Sequence, residues 1–160
     1  TGITQTTGIG SVAIGTNGGP PSLAMLTDLI KEVGVDNAEA GLLAYITNSK
    51  VIAKMRQTSK VSSTDSVMLP SEENRVFGYP ILESNNVPGD LTKGSSSGVC
   101  SAMVFGNFAD LLIGEFGPLD ILIDPYTNAD TGYVRVVGHY FVDVAVRHAE
   151  SFAACLDITT

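Results

Sequence analysis

Tyr133-Val-Arg-Val-Val-Gly-His-Tyr-Phe-Val-Asp-Val-Ala-Val146 is the stretch on which the fold turns. Valine, tyrosine and phenylalanine dominate it, side chains that suit a pleated, half-buried surface. Leu119-Asp-Ile-Leu-Ile-Asp124 has the same character, and the intervening Pro125-Tyr-Thr-Asn-Ala-Asp-Thr-Gly132 is a turn cluster. The pattern predicts a long β-hairpin. A strand from Tyr133 to Val146 would span about 45 Å at about 3.3 Å per residue, more than a small domain needs, so it is expected to link two subdomains.

Around that hairpin the 160-residue chain has room for one domain or two small ones sharing a core. It is 44% hydrophobic and 16% charged, the make-up of a folded protein. No apolar run reaches the roughly 18 residues of a membrane span, so a soluble protein without a membrane partner is expected. Thr1 is not a start methionine and nothing near it resembles a signal peptide, so the chain reads as a piece of a longer one. The formal net charge of −8, with nine Lys and Arg scattered along the chain, argues against specific nucleic-acid binding. Cys100 and Cys155 lack CxxC spacing and sit among apolar residues, so both read as buried, reduced thiols in a reducing cytoplasm.

Upstream, residues 1–21 are rich in Gly and Thr and read as an extended entry segment with turns. Gly8-Ile-Gly10-Ser-Val-Ala13 formally fits GxGxxA, yet it lacks the strand before and the helix directly after that a dinucleotide site requires. Ser22 is placed to cap a helix over 22–33, since Leu23, Leu26, Leu29, Ile30 and Val33 recur at helical spacing and Gly34 would stop it. Its buried face is expected to pack on the sheet containing the hairpin. Leu42-Leu-Ala-Tyr-Ile46 predicts a strand, and Thr47-Asn-Ser49 a cap for a helix over 51–56. Residues 57–74 read as an exposed loop. Arg75 to Glu83 reads as an edge or bulged strand interrupted by Gly78 and Pro80. A Ser/Gly tract, a strand over 99–105 and a short helix over 108–113 lead into the hairpin, and residues 150–156 end as strand or helical turn.

Candidate chemistry is sparse. Gly94-Ser-Ser-Ser-Gly98 fits GxSxG with Ser96 as nucleophile, but a loop precedes it and a strand follows, the inverse of a nucleophile elbow, so it reads as a flexible linker. A hydrolase would need His139 or His148 as base and Asp143 or Asp157 as orienter, and no spacing favours that set. The two histidines are nine residues apart with no ligand-type neighbour at i+2 or i+4, which speaks against a zinc site. Asp120 and Asp124 share one side of a strand and read as a solvated face rather than a glycosidase pair. No catalytic residue, cofactor or metal is assigned.

The order of segments is more telling. Gly78, Pro80, Ile81, Ser84, Val87 and Pro88, then Gly106, Asn107 and Phe108, then Glu150 and Phe152 stand in the order of short motifs in the major capsid proteins of tailed bacteriophages that share the HK97 fold. From Ser22 onward the chain resembles that family. The resemblance implies an α+β, HK97-like capsid fold: a peripheral domain with a spine helix and the long hairpin (1–41 and 119–150), and an axial α/β domain (42–118 and 151–160). It implies a non-enzymatic structural subunit of a phage or prophage capsid. Such subunits form pentamers and hexamers that enclose DNA, with scaffold or portal proteins as further partners, located in the virion and assembled in the bacterial cytoplasm. A shell protein of an encapsulin nanocompartment is the near alternative, and a small serine hydrolase the distant one. The hairpin tip, Asn128, Ala129, Asp130, Thr131 and Gly132, is where subunits are expected to meet. Family members carry an N-terminal arm and extended loop ahead of the matching segment, so the chain reads as the C-terminal portion of such a subunit, expected alone to be a monomer or weak oligomer. The asparagine and glutamate of the isopeptide cross-link found in some members align with Gly132 and His139 here, so no self-cross-linking is expected.

Overall fold

The structure, a computed structural model, describes residues 2–61, 66–68, 73–127 and 130–160. Its centre is a seven-stranded mixed sheet. The strands are β1 (Gly10–Val12), β2 (Leu43–Thr47), β3 (Arg75–Val76), β4 (Tyr79–Glu83), β5 (Leu91–Lys93), β6 (Ser96–Asn107) and β9 (Phe152–Thr159). They lie in the order β1-β9-β6-β2-β4-β3, with β5 paired to β6. Two further strands, β7 (Leu111–Asp124) and β8 (Arg135–Val146), form a separate antiparallel pair.

Two helices cover one face of the sheet. Helix α1 (Leu23–Val35) starts where Ser22 Oγ accepts the Met25 amide at 3.2 Å, the N-cap expected from the sequence. It runs one residue past Gly34 because Asn37, at φ 54°, takes the left-handed exit position. The Ala38 and Asn37 amides then close onto the carbonyls of Val33 and Gly34. Helix α2 (Ser49–Gln57) is capped by Asn48, whose side chain accepts the Val51 amide. It forms the crossover between the parallel strands β2 and β4.

Helix α1 packs on β1, β9 and β6, not on the hairpin sheet as its apolar face alone suggested. The period of an amphipathic face fixes that the helix is covered, not by which sheet. Met25, Leu26, Leu29 and Val33 join Val51, Ile52 and Met55 of α2 over Tyr45, Met103, Phe105 and Cys155 in one core. Tyr45 and Phe105 lie 4.5 Å apart between ring centroids and Tyr79 edges onto Phe105 at 5.2 Å. The Tyr45 hydroxyl donates to the Leu26 carbonyl at 3.0 Å, tying sheet to helix, and burial raises its pKa above the usual phenol range. On the opposite face Val104, Phe152 and Ala154 make a smaller cluster with Ile3, Ile9, Phe108, Leu111 and Val146.

Several local expectations change form. The single interrupted strand expected over 75–83 lies at the sheet edge but is two strands, Arg75–Val76 and Tyr79–Glu83, paired as a hairpin and turned by Phe77 and Gly78, both at positive φ. The Ser/Gly tract is no flexible linker: Lys93 pairs with Ser96, and Gly94, at φ 56°, makes the turn between β5 and β6. The expected helix over 108–113 is a single 3-10 turn, Phe108–Asp110, after which β7 begins eight residues before the predicted strand. Gly114, Gly117 and Pro118 disguise that first half, because they read as breakers although Gly114 pairs in register with Asp143 and the other two sit in a bulge.

Candidate assembly surface

Among the described residues the β7–β8 hairpin carries most of the large apolar side chains that stand exposed. Its ladder runs from Leu111↔Val146 at the root to Asp124↔Arg135 near the tip. The register shifts between Phe116 and Asp120, where β7 spends three residues against Tyr140 alone. Gly117 adopts φ 80° there, and Pro118, which has no amide to donate, costs the ladder nothing. Tyr140, opposite the bulge, donates to Glu115, and that hydrogen bond raises the phenol's pKa.

Cross-strand partners share a face, and alternation along β8 therefore sorts the side chains into two sets. One face carries Ile113, Ile121, Ile123, Val136, Val142 and Val144, broken only by the Glu115–Tyr140 pair and Gly138. The other carries Phe116 against Phe141 and Leu122 against Val137, interleaved with Asp120 against His139, Asp124 against Arg135, and Asp143. Both are open in this chain. Phe116 is 82% exposed, Ile113 and Ile123 64%, and Phe141 65%. A patch of this kind marks an interaction surface, since soluble monomers rarely show so much contiguous apolar area.

The root is rigidly built. Asp110 Oδ2 accepts from Asn107 Nδ2 at 3.1 Å and from Ser151 Oγ at 2.7 Å, and its carbonyl accepts the Arg147 amide at 2.8 Å. Asn107 Oδ1 accepts the amides of Leu42 and Ala109. Phe108 and Phe152 meet edge to face at 5.5 Å beneath this network. Gly106 permits the approach, for a Cβ there would lie 2.4 Å from the Ser151 carbonyl oxygen. Asn107, Asp110 and Ser151 escaped the sequence reading as a set, because 41 residues separate Asp110 from Ser151. The only signal was Asn107 at a strand end beside a turn.

At the tip, Asp124 accepts the Tyr126 and Thr127 amides and the Thr127 hydroxyl, and these bonds, the hydroxyl's foremost, lower its pKa. Tyr126 is 85% exposed. Asp130, Thr131 and Gly132 form an exposed turn, while Asn128 and Ala129 lie outside the described residues.

The residues weighed for catalysis stay apart. Ser96 is on the central sheet, while His139 and Asp143 are on the hairpin. Asp157 is buried and accepts the Ile14 amide and the Cys155 thiol, holding the entry segment against β9. Among the described residues no cluster of His, Cys, Asp and Glu has the arrangement of a metal site. Gly10 of the GxGxxA stretch lies on β1, packed against Ala153 and Glu32. Cys100 and Cys155 are buried, free thiols. Among the described residues no helix is long and apolar enough to cross a membrane.

Comparison with known proteins matches a model of the phage capsid family over residues 1–155. The chain belongs to the phage capsid family. The major capsid protein of Halomonas phage phiHAP-1 is 27% identical over 126 residues, 79% of this chain and 19% of that protein. Among solved structures, the capsid of an empty GTA particle superposes with a TM-score of 0.75 at 22% identity, over 99% of this chain and 55% of that one. An encapsulin complex from Synechococcus elongatus superposes with a TM-score of 0.58 at 15% identity, over 94% of this chain and 53% of that one. This phage capsid family chain thus spans about a fifth of the curated relative and about half of the solved shell proteins, and its fold is the α+β, HK97-like one that phage capsids and encapsulins share.

Proposed function

We propose that this chain is a portion of the major capsid protein of a tailed phage or prophage, a non-enzymatic subunit whose copies form pentamers and hexamers that enclose DNA. One observation carries the reading: a rigidly rooted hairpin exposes apolar side chains on both faces. An isolated two-stranded sheet is marginal in water, so such a hairpin has to be covered by other parts of the protein or by neighbouring subunits. The head-to-tail contacts of a ring supply such cover. Residues 111–146 would then be peripheral. The domain division expected from sequence is proposed with two changes: the peripheral part is 111–146 in place of 119–150, and residues 1–41, with β1 and α1, are counted with the axial sheet they join. The tip residues Asp130, Thr131 and Gly132 would meet a neighbouring subunit, with the virion as destination and the bacterial cytoplasm as the place of assembly. Scaffold or portal proteins would be its further partners.

An encapsulin shell is the second reading, and the curated relative, a phage major capsid protein, favours the first. Electron microscopy of the full-length protein after expression tests the proposal: closed shells are expected, and a uniformly monomeric protein under capsid-forming conditions would overturn it. Because the resemblance sets Gly132 and His139 where cross-linking members carry asparagine and glutamate, denaturing mass spectrometry of those shells should show monomer mass alone. A covalent dimer would contradict that expectation.

A further inference from the structure

Within the ring reading, on which this inference rests, each subunit has to present two different, complementary edges, because a head-to-tail contact joins unlike surfaces. A chain of net charge −8 adds a difficulty, for copies of it repel one another unless opposite charges are locally sorted. The charges are sorted. From Thr1 to Ser49 the chain carries four acids, Asp28, Glu32, Asp36 and Glu39, against the single base Lys31. All five are on or just beyond α1, and Lys31 is already engaged by Asp28 at 3.3 Å and Glu32 at 3.6 Å. Glu32 sits over Gly10 of β1, the edge strand on that flank.

The next stretch is the reverse. From Ser49 to Lys60 there are four bases, Lys50, Lys54, Arg56 and Lys60, and no acid. Helix α2 buries Val51, Ile52 and Met55, carries Lys50 and Lys54 together on one outward face and Arg56 on another, and Lys60 follows beyond its end. Lys50 donates to the Gly89 carbonyl and Arg56 to Asn74 beside edge strand β3, but among the described residues none of the four has a carboxylate partner. Lys50 and Lys54 border Gly98 and Val99 of β6 and Thr160, whereas the acids lie on or just beyond α1, which packs on β1, β9 and β6.

We infer that the basic face of α2 docks on the acidic α1 flank of a second copy of this chain, and that this charge pairing sets the lateral, head-to-tail contact within a capsomer. Packaged DNA is the other polyanion the four bases could meet. The self-contact is favoured because the same chain supplies an acidic surface on a different helix, α1, which a ring neighbour would present.

The test uses the full-length protein with two charge reversals, Lys50→Glu/Lys54→Glu on α2 and Asp28→Lys/Asp36→Lys on α1, at exposed or half-exposed positions. Circular dichroism melts confirm that each variant folds. Sedimentation at low and high salt measures assembly, and wild-type shells should weaken as salt screens the contact. Each reversal alone should cut assembled protein by about tenfold or more. Combining both in one chain should restore shells. Mixing the two single-flank variants should give alternating rings, which close at six subunits and not at five. Folded single variants that assemble as wild type would overturn the inference, and so would an α2 reversal that spares assembly but lowers DNA content. A wild type that never assembles would instead sink the capsid reading itself, before either variant is compared.

Discussion

The central sheet and the hairpin are made of the same residue types in opposite circumstances. Phe105 and Phe152 are fully buried in the sheet, while Phe116 and Phe141, no less apolar, stand in solvent on the hairpin. The sheet closes its own core with two helices on one face and a phenylalanine cluster on the other. The hairpin has a rigid root, a bulged waist and a polar tip, and beyond its root, where Leu111 and Val146 pack on the sheet, no cover among the described residues. Composition makes a strand in both places. Only the sheet is complete in itself, which is the division of labour expected of an element that awaits a partner.

The widest gap between the two regions should appear on truncating their aromatics. Phe152→Ala removes a fully buried ring against Phe108 and is expected to cost about 3–5 kcal/mol in urea denaturation. Phe116→Ala should change stability by about 0.5 kcal/mol or less while lowering assembly of the full-length protein. Equal losses would erase the distinction. The glycines sharpen it further. Gly106→Ala puts a Cβ against the Ser151 carbonyl and the Phe152 ring, an overpacking expected to cost about 1–3 kcal/mol. Gly138→Ala on the hairpin meets nothing closer than Leu119 at 3.8 Å and should cost nothing measurable.

A slope in pH belongs to the sheet alone and is small near neutral pH. Burial pushes the Cys155 thiol up to about 12, whereas an unfolded thiol ionises near 8.5. Above that value the unfolded chain holds fewer protons than the folded one, so stability falls as pH rises from about 8.5 toward 12. Below it this group contributes no pH dependence. Cys155→Ala should flatten that part of the profile in a series of melts. The wild-type thiol should resist alkylation until the sheet unfolds.

How much of this was legible in the sequence follows from the range of each interaction. The Ser22 and Asn48 caps use amides three residues away, so local residues sufficed to place both helix starts. The second hairpin strand announced itself through its Val, Tyr and Phe content. Its partner was only half visible, because Gly114 looks like a break although it pairs in register, and Gly117 and Pro118 look like breaks unless the bulge that houses them is known. The β5–β6 turn hid in a Ser/Gly tract whose small side chains show no alternation. Which sheet α1 covers, and that Asp110 reaches Ser151, depend on contacts between distant segments, and no periodicity encodes those.

Amide hydrogen exchange on the full-length protein, measured in unassembled subunits and in shells, tests the comparison most directly. The central strands β2, β6 and β9 should be equally protected in both, and residues 111–146 should gain the most protection on assembly. If the hairpin amides exchanged at the same rate in subunit and shell, the hairpin would not be the surface that assembly covers.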